Sequence, residues 1–130
     1  IWNKDKAQFG ALSAQYKDKY EPCLYAYVKG QKPKWYGPTN EVSVWECKRA
    51  TKNEFHPTQK PVELPVRALT NHTEQDDIVL DLFLGSGSTL IACEKTNRIC
   101  YGMEIDPKYT DVIIKRWEDY VGGGQKAIKI

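Results

Sequence analysis

Hydrophobic positions change rhythm twice along the chain. Up to residue 30 they fall in short extended runs: Ile1-Trp2, a polar stretch from Lys4 to Lys19, and then Cys23-Leu24-Tyr25-Ala26-Tyr27-Val28, which predicts a strand ended by Gly30. From 31 to 54 the rhythm is lost. Lys32, Lys34, Lys48, Arg49 and Lys52 alternate irregularly with Trp35, Tyr36 and Trp45, and Pro33, Gly37 and Pro38 break regular structure, which leaves loops around a short Val42–Trp45 strand. From residue 56 helix and strand alternate. Pro61 opens a helix with Val62, Val66 and Leu69 at helical spacing, Pro65 as an irregularity near its start and Asn71 as its stop. Ile78 to Phe83 is a near-continuous apolar run of strand length, the pattern of a strand buried on both faces of a parallel sheet. Ser88 to Lys95 then predicts a helix and Ile99 to Ile105 a second buried strand. Pro107 to Val121 predicts an amphipathic helix with the stripe Tyr109, Val112, Ile113, Trp117 and Tyr120.

The order helix, strand, helix, strand, helix implies right-handed crossovers and a parallel pair, hence a doubly wound α/β core. At 130 residues and 41% hydrophobic content the chain suits one domain. Its parts divide as 1–30, a strand pair; 31–54, an excursion; 55–121, the alternating half; and 122–130, a flexible tail opened by Gly122-Gly123-Gly124. A net charge of +2 with 28% charged residues sets up no strong field, so any basic surface must be local. Cys23, Cys47, Cys93 and Cys100 show no C-x-x-C spacing and are joined by only two histidines, His56 and His72, which argues against zinc and for reduced thiols. The chain opens without a basic-then-apolar leader, and no apolar run approaches the roughly 18–20 residues of a membrane span. A cytoplasmic protein is expected.

The chemistry concentrates where the first buried strand ends. Asp81-Leu82-Phe83-Leu84-Gly85-Ser86-Gly87-Ser88-Thr89 places small residues at the carboxyl end of a parallel sheet, where backbone can approach a ligand closely. Glu104, seventeen positions after Gly87, closes the next strand beside that loop and suits a pair of ribose hydroxyls. A dinucleotide fingerprint needs a third glycine where Leu90 stands, and no Gly-Lys-Ser/Thr forms a triphosphate cradle. A cofactor with a ribose and no phosphate remains, S-adenosylmethionine.

These residues resemble the β-class adenine-N6/cytosine-N4 DNA methyltransferases. The resemblance is carried by Ile1-Trp2-Asn3-Lys4, Tyr20 to Tyr25, His56-Pro57-Thr58-Gln59-Lys60-Pro61, Asp81 to Thr89 and Tyr101 to Tyr109. It implies a partial doubly wound, Rossmann-like S-adenosylmethionine-dependent methyltransferase fold and methyl transfer to an exocyclic amine of adenine or cytosine in double-stranded DNA. It also implies that Asp81, Phe83, Gly85 and Gly87, with Ser86, Ser88 and Thr89 of the same loop, line the cofactor, that Glu104 binds its ribose, that Ile105 packs on its adenine, and that Thr58 and Lys60 face its methionine carboxylate. No metal is implied.

The family's Ser/Asn/Asp-Pro-Pro-aromatic motif, which receives the flipped base, is absent. Asp106-Pro107-Lys108-Tyr109 follows the ribose acid and opens a helix, so it takes no catalytic role, and no catalytic residue is assigned. Two central strands are therefore expected to be missing, with a longer enzyme or a partner copy completing the sheet. The 31–54 excursion occupies the slot of target-recognition elements, with Lys32, Lys34, Lys48 and Arg49 on phosphates and Trp35, Tyr36 or Trp45 on displaced bases. The other reading puts those tryptophans in the core and the charges on a solvated face. Two further functions compete: a non-catalytic module that holds cofactor or DNA, and a nicotinamide-dependent oxidoreductase fragment, against which Leu90 argues.

Overall fold

The computed structural model describes residues 1–7, 13, 15–48, 59–122 and 124. Five strands and three helices follow one another as β1 (Trp2–Asn3), β2 (Tyr20–Glu21), β3 (Trp45–Glu46), α1 (Glu63–His72), β4 (Ile78–Asp81), α2 (Ser88–Thr96), β5 (Ile99–Gly102) and α3 (Pro107–Val121). The strands form two sheets. One has the order β2-β1-β3, with β1 antiparallel to β2 (Trp2 opposite Glu21, Asn3 opposite Tyr20) and parallel to β3. The other is the parallel pair β4-β5, running from Ile78 opposite Ile99 to Asp81 opposite Gly102, with α2 as its crossover. The order of elements in the alternating α/β half is thus as the apolar rhythm predicts.

Local chemistry sets the helix ends. Pro65 lies within the first turn of α1, where a missing N–H costs no intrahelical bond. Asn71 does not stop that helix. It turns inward at 3% exposure, donates from Nδ2 to Glu41 at 3.2 Å, and accepts the Tyr36 N–H on its carbonyl at 2.8 Å, while α1 runs on to His72. α2 ends on Asn97 in the left-handed conformation (φ 57°), which returns its N–H to the last carbonyls. Asp106 caps α3 by accepting the Lys108 N–H at 2.9 Å, ahead of Pro107. The core gathers Leu69 of α1 with Ala92 and Cys93 of α2, backed by Val62, Val66, Val79 and Cys100. α1 and α2 therefore cover one face of β4-β5.

Several expectations are corrected. Residues 23–28 form no strand; Leu24 is fully exposed and Tyr25, Tyr27 and Val28 are exposed. The register sets Trp2 against Glu21, so among the described residues none lies opposite Cys23 and beyond to pair with its backbone. The Val42–Trp45 strand is displaced to Trp45–Glu46, where the Trp45 N–H reaches the Ile1 carbonyl at 2.8 Å. β4 stops at Asp81, whose carboxylate accepts the Phe83 N–H at 3.0 Å and turns the chain, and β5 stops at Gly102 instead of Ile105. Neither strand is buried on both faces: Ile78 is 67% and Leu80 64% exposed, because the helices lie on the side of Val79 and Cys100. On α3 the stripe buries Ile113 but leaves Tyr120 exposed. Beyond Gly122 only Gly124 of the tail lies within the described residues.

Leu69→Ala is expected to lower stability by about 2–4 kcal/mol in urea unfolding, whereas Leu24→Ala changes it by less than about 0.5 kcal/mol.

Candidate functional site

A cavity of about 570 Å³ opens at the carboxyl ends of β4 and β5. Its shape depends on Glu104, which follows β5. One carboxylate oxygen accepts the Gly85 N–H at 2.7 Å and the other accepts the Asp106 N–H at 3.0 Å. A single side chain so joins the turn after β4 to the turn after β5. A carboxylate accepts about four hydrogen bonds, so both oxygens keep capacity for a ligand's hydroxyls. Gly85 sits beside it at φ 58°, and a Cβ there would meet nothing closer than the Phe83 carbonyl at 3.9 Å. The loop needs glycine there for its left-handed backbone, and the space in front of it stays open.

The back of the loop is held by α3. The half-buried Arg116 donates to the Ser86 carbonyl at 2.8 Å and lies 3.2 Å and 3.4 Å from the hydroxyls of Ser86 and Ser88. Ser88, at the start of α2, donates to the Lys60 carbonyl at 2.7 Å and thereby ties the segment before α1 to the cavity. The opposite wall comes from the first sheet and includes Trp2, Glu21 and Cys23. Glu21 bonds two ammoniums, Lys4 at 2.7 Å and Lys60 at 2.5 Å. Burial pushes the Glu21 carboxyl up, but the two lysines outweigh it and hold the group below the usual 4.5.

Of the residues expected around a cofactor, Lys60, Asp81, Phe83, Gly85, Ser86, Ser88, Thr89 and Glu104 line the cavity. Gly87 does not. At φ 80° it faces α3, and a Cβ would come within 3.2 Å of Ile113, so its smallness serves helix packing. Ile105 is also outside the lining and 98% exposed, since no described residue covers the turn after Glu104. Thr58 and His56 lie outside the described residues. Trp2, Lys4, Glu21 and Arg116 were given no role from sequence. Their signals were present: Trp2 and Lys4 alternate on one strand face, and Arg116 stands three residues after the buried Ile113 on α3.

The expected nucleic-acid contacts are not gathered into one patch. Trp35 meets His72 edge-on at 5.1 Å, and the carbonyl of Lys34 is 3.2 Å from the His72 ring, both at the end of α1. The Lys34 ammonium is held above its usual value by the Tyr36 phenol and by Asp77 and Glu74, and Tyr36 donates to Glu74 at 2.8 Å. Lys48 stands instead with Glu63 and Arg67, toward the start of α1, where Arg67 lies 4.9 Å over the Trp45 ring. Lys32 is exposed, and Arg49 lies outside the described residues. Among the described residues no group of three or more His, Cys, Asp or Glu is placed to hold a metal ion, and no helix is long and apolar enough to cross a membrane.

This geometry sets a glycine turn and an acid at the carboxyl ends of two parallel strands, the place where α/β sheets bind ligands. The family model described as DNA methylase, that of the N6/N4 methyltransferases, matches residues 1–116, and the chain belongs to that family. Type II methyltransferase M.BglI of Bacillus subtilis is 29% identical over 144 residues, covering 100% of this chain and 41% of that protein. The crystal structure of the M1.HpyAVI–SAM complex is similar at a TM-score of 0.73 and 32% identity, over 88% of this chain and 58% of that one. A putative DNA modification methylase of Thermus thermophilus, complexed with S-adenosyl-L-methionine, is similar at a TM-score of 0.54 and 29% identity over 63% of this chain and 31% of that one. The chain spans about two fifths of the length of M.BglI. Its fold is the Rossmann-like methyltransferase fold in part.

Arg116→Met is expected to lower stability by about 1–3 kcal/mol and to speed amide hydrogen exchange at Gly85 and Gly87. Because the folded-state pKa of Glu21 is lowered, its contribution is complete above the ordinary glutamate value and is lost as pH falls through the folded value. Unfolding midpoints measured from about pH 6 to pH 3 should fall more steeply for the wild type than for Glu21→Gln.

Proposed function

We propose that the chain is the cofactor-binding part of a DNA amino-methyltransferase, using S-adenosylmethionine to methylate the exocyclic amine of adenine (N6) or cytosine (N4). The observation that carries this reading is the cavity in which Gly85 and Glu104 meet at the strand ends, opposite Lys60. Its volume falls in the range of about 300–1,000 Å³ usual for small-molecule sites. Glu104 takes the ribose hydroxyls, Gly85 admits the ligand against its backbone, Asp81 faces the positively charged amino end, and Lys60 faces the carboxylate, with Thr58 assigned beside it. Phe83, exposed at the rim, supplies an apolar surface, and Ile105 is assigned to the adenine. S-adenosylmethionine supplies a methyl group on a sulfonium leaving group. The protein's work is to hold the reacting centres in line.

The target base requires a Pro-Pro-aromatic segment that this sequence does not contain. We assign that segment, and the cover for the exposed Ile78, Leu80, Ile99 and Tyr101 face, to further polypeptide of the same enzyme. Double-stranded DNA is the substrate and the cytoplasm the place of action. Lys32, Lys34, Trp35, Lys48 and Arg49 are the assigned DNA contacts, of which Lys34 and Trp35 lie at the end of α1 and Lys48 toward its start. Residues 1–30, 31–54 and 55–121 would then serve as catalytic-half strands, target recognition and cofactor binding. The absent motif also favours a second reading, a module that binds cofactor or DNA without transferring methyl.

Calorimetric titration with S-adenosylmethionine should show binding that weakens by at least about tenfold in Glu104→Ala, the size of one lost charged hydrogen-bond partner. A folded wild-type chain that does not bind would remove the cofactor assignment. Methyl incorporation into DNA by the complete enzyme, alongside none by a binding module, separates the two readings.

A further inference from the structure

A partly buried ion cluster forms one wall of the cavity. Trp2 and Lys4 are two apart on an extended strand and so share a face, and the register sets Glu21 directly opposite Trp2. The Lys4 N–H continues the pairing to the Lys19 carbonyl at 2.8 Å. Trp2 is 2% and Lys4 1% exposed. Onto this cluster the segment before α1 delivers Lys60. Both ammoniums lie over the Trp2 ring, at 5.2 Å and 5.4 Å from its centre, and each takes one oxygen of Glu21.

The two lysines differ in access. The Lys4 side chain is sealed and balanced by Glu21, whereas the Lys60 side chain is 48% exposed and lines the cavity. An ammonium has three N–H donors, so Lys60 can bond Glu21 and still serve a ligand. A free lysine on a mobile stem would present its charge over a wide arc. Held between a carboxylate and an indole, it presents that charge at one place.

We infer that Glu21 is a positioning residue for cofactor selection: anchored by the buried Lys4, it fixes the Lys60 ammonium on the Trp2 ring, where it binds the ligand's carboxylate. The inference rests on the cofactor reading above and deepens it. The site accordingly favours a nucleoside thioether carrying an amino-acid end over the same nucleoside thioether without one.

The test compares S-adenosylhomocysteine with 5′-methylthioadenosine, two neutral thioethers that share the adenosine and differ in the amino-acid end. Affinities are measured for the wild type, Glu21→Gln, Glu21→Asp, Lys60→Met and the Glu21→Gln/Lys60→Met pair. Each single variant is expected to weaken S-adenosylhomocysteine by about tenfold, the scale of one charge-assisted bond, and to leave 5′-methylthioadenosine unchanged. The double variant is expected to be no weaker than Lys60→Met. Glu21→Asp keeps a charge for Lys4 while withdrawing from Lys60, so it decides the matter if Glu21→Gln does not fold. Equal losses for both ligands, or additive losses in the double variant, would overturn the positioning role and leave the cofactor reading intact. A folded wild type that binds neither ligand overturns both.

Discussion

The carboxylate of Glu104 spans the two turns on which the cavity is built. The chains after β4 and β5 are tied by two backbone bonds, Met103 N–H to the Asp81 carbonyl at 2.9 Å and Leu84 N–H to the Met103 carbonyl at 2.8 Å, and just beyond these each gives one N–H to the same side chain. These are part-buried donors that would otherwise need water. A charged acceptor makes such bonds roughly twice as strong as neutral ones, so the acid extends the tie between the two turns past the point where their backbone bonds end. Its assigned ligand role uses what capacity is left after that structural task. Substitutions at Glu104 therefore act on loop geometry and ligand binding together.

Around this pivot the cavity has two unlike walls. The glycine-turn wall is backbone, braced from behind by Arg116 on α3 and by Gly87 against Ile113. The other wall is side chains, made of Trp2 with the Glu21 ion cluster and carried on strands only two residues long. Ser88 crosses between them by its bond to the Lys60 carbonyl. Backbone curvature suits a ribose, and fixed charge suits the zwitterionic end of an amino acid.

Much of the second half was legible because its signals are local. Apolar spacing located α1 and α3, Asp106 and Pro107 marked a helix start, and the run at Ile78 marked β4. What failed depended on neighbours remote in sequence. An apolar run cannot say whether one face or two will be covered, so Ile78 and Leu80 looked buried and are not. Cys23 to Val28 has strand composition, but a strand needs a partner in register, and none of the described residues supplies one. In the site, the loop and its acid were plain from sequence. Which glycine faces the cavity was not, because Gly85 and Gly87 differ in what stands opposite them. The Lys4-Glu21-Lys60 cluster joins three separate segments and appears only once β1 and β2 are paired.

The four free cysteines divide unequally between shelter and access. Burial pushes the Cys93 thiol up to about 12, with Cys100 adjoining it, and burial raises Cys100 and Cys47 as well. Thiolates do the reacting, so these three resist alkylation while the fold stands. Cys23 is exposed and forms part of the cavity wall, two residues from Glu21. A maleimide or fluorescent label will accordingly enter first at Cys23, giving this chain a natural single-site reporter whose modification rate tracks whether the cavity is filled.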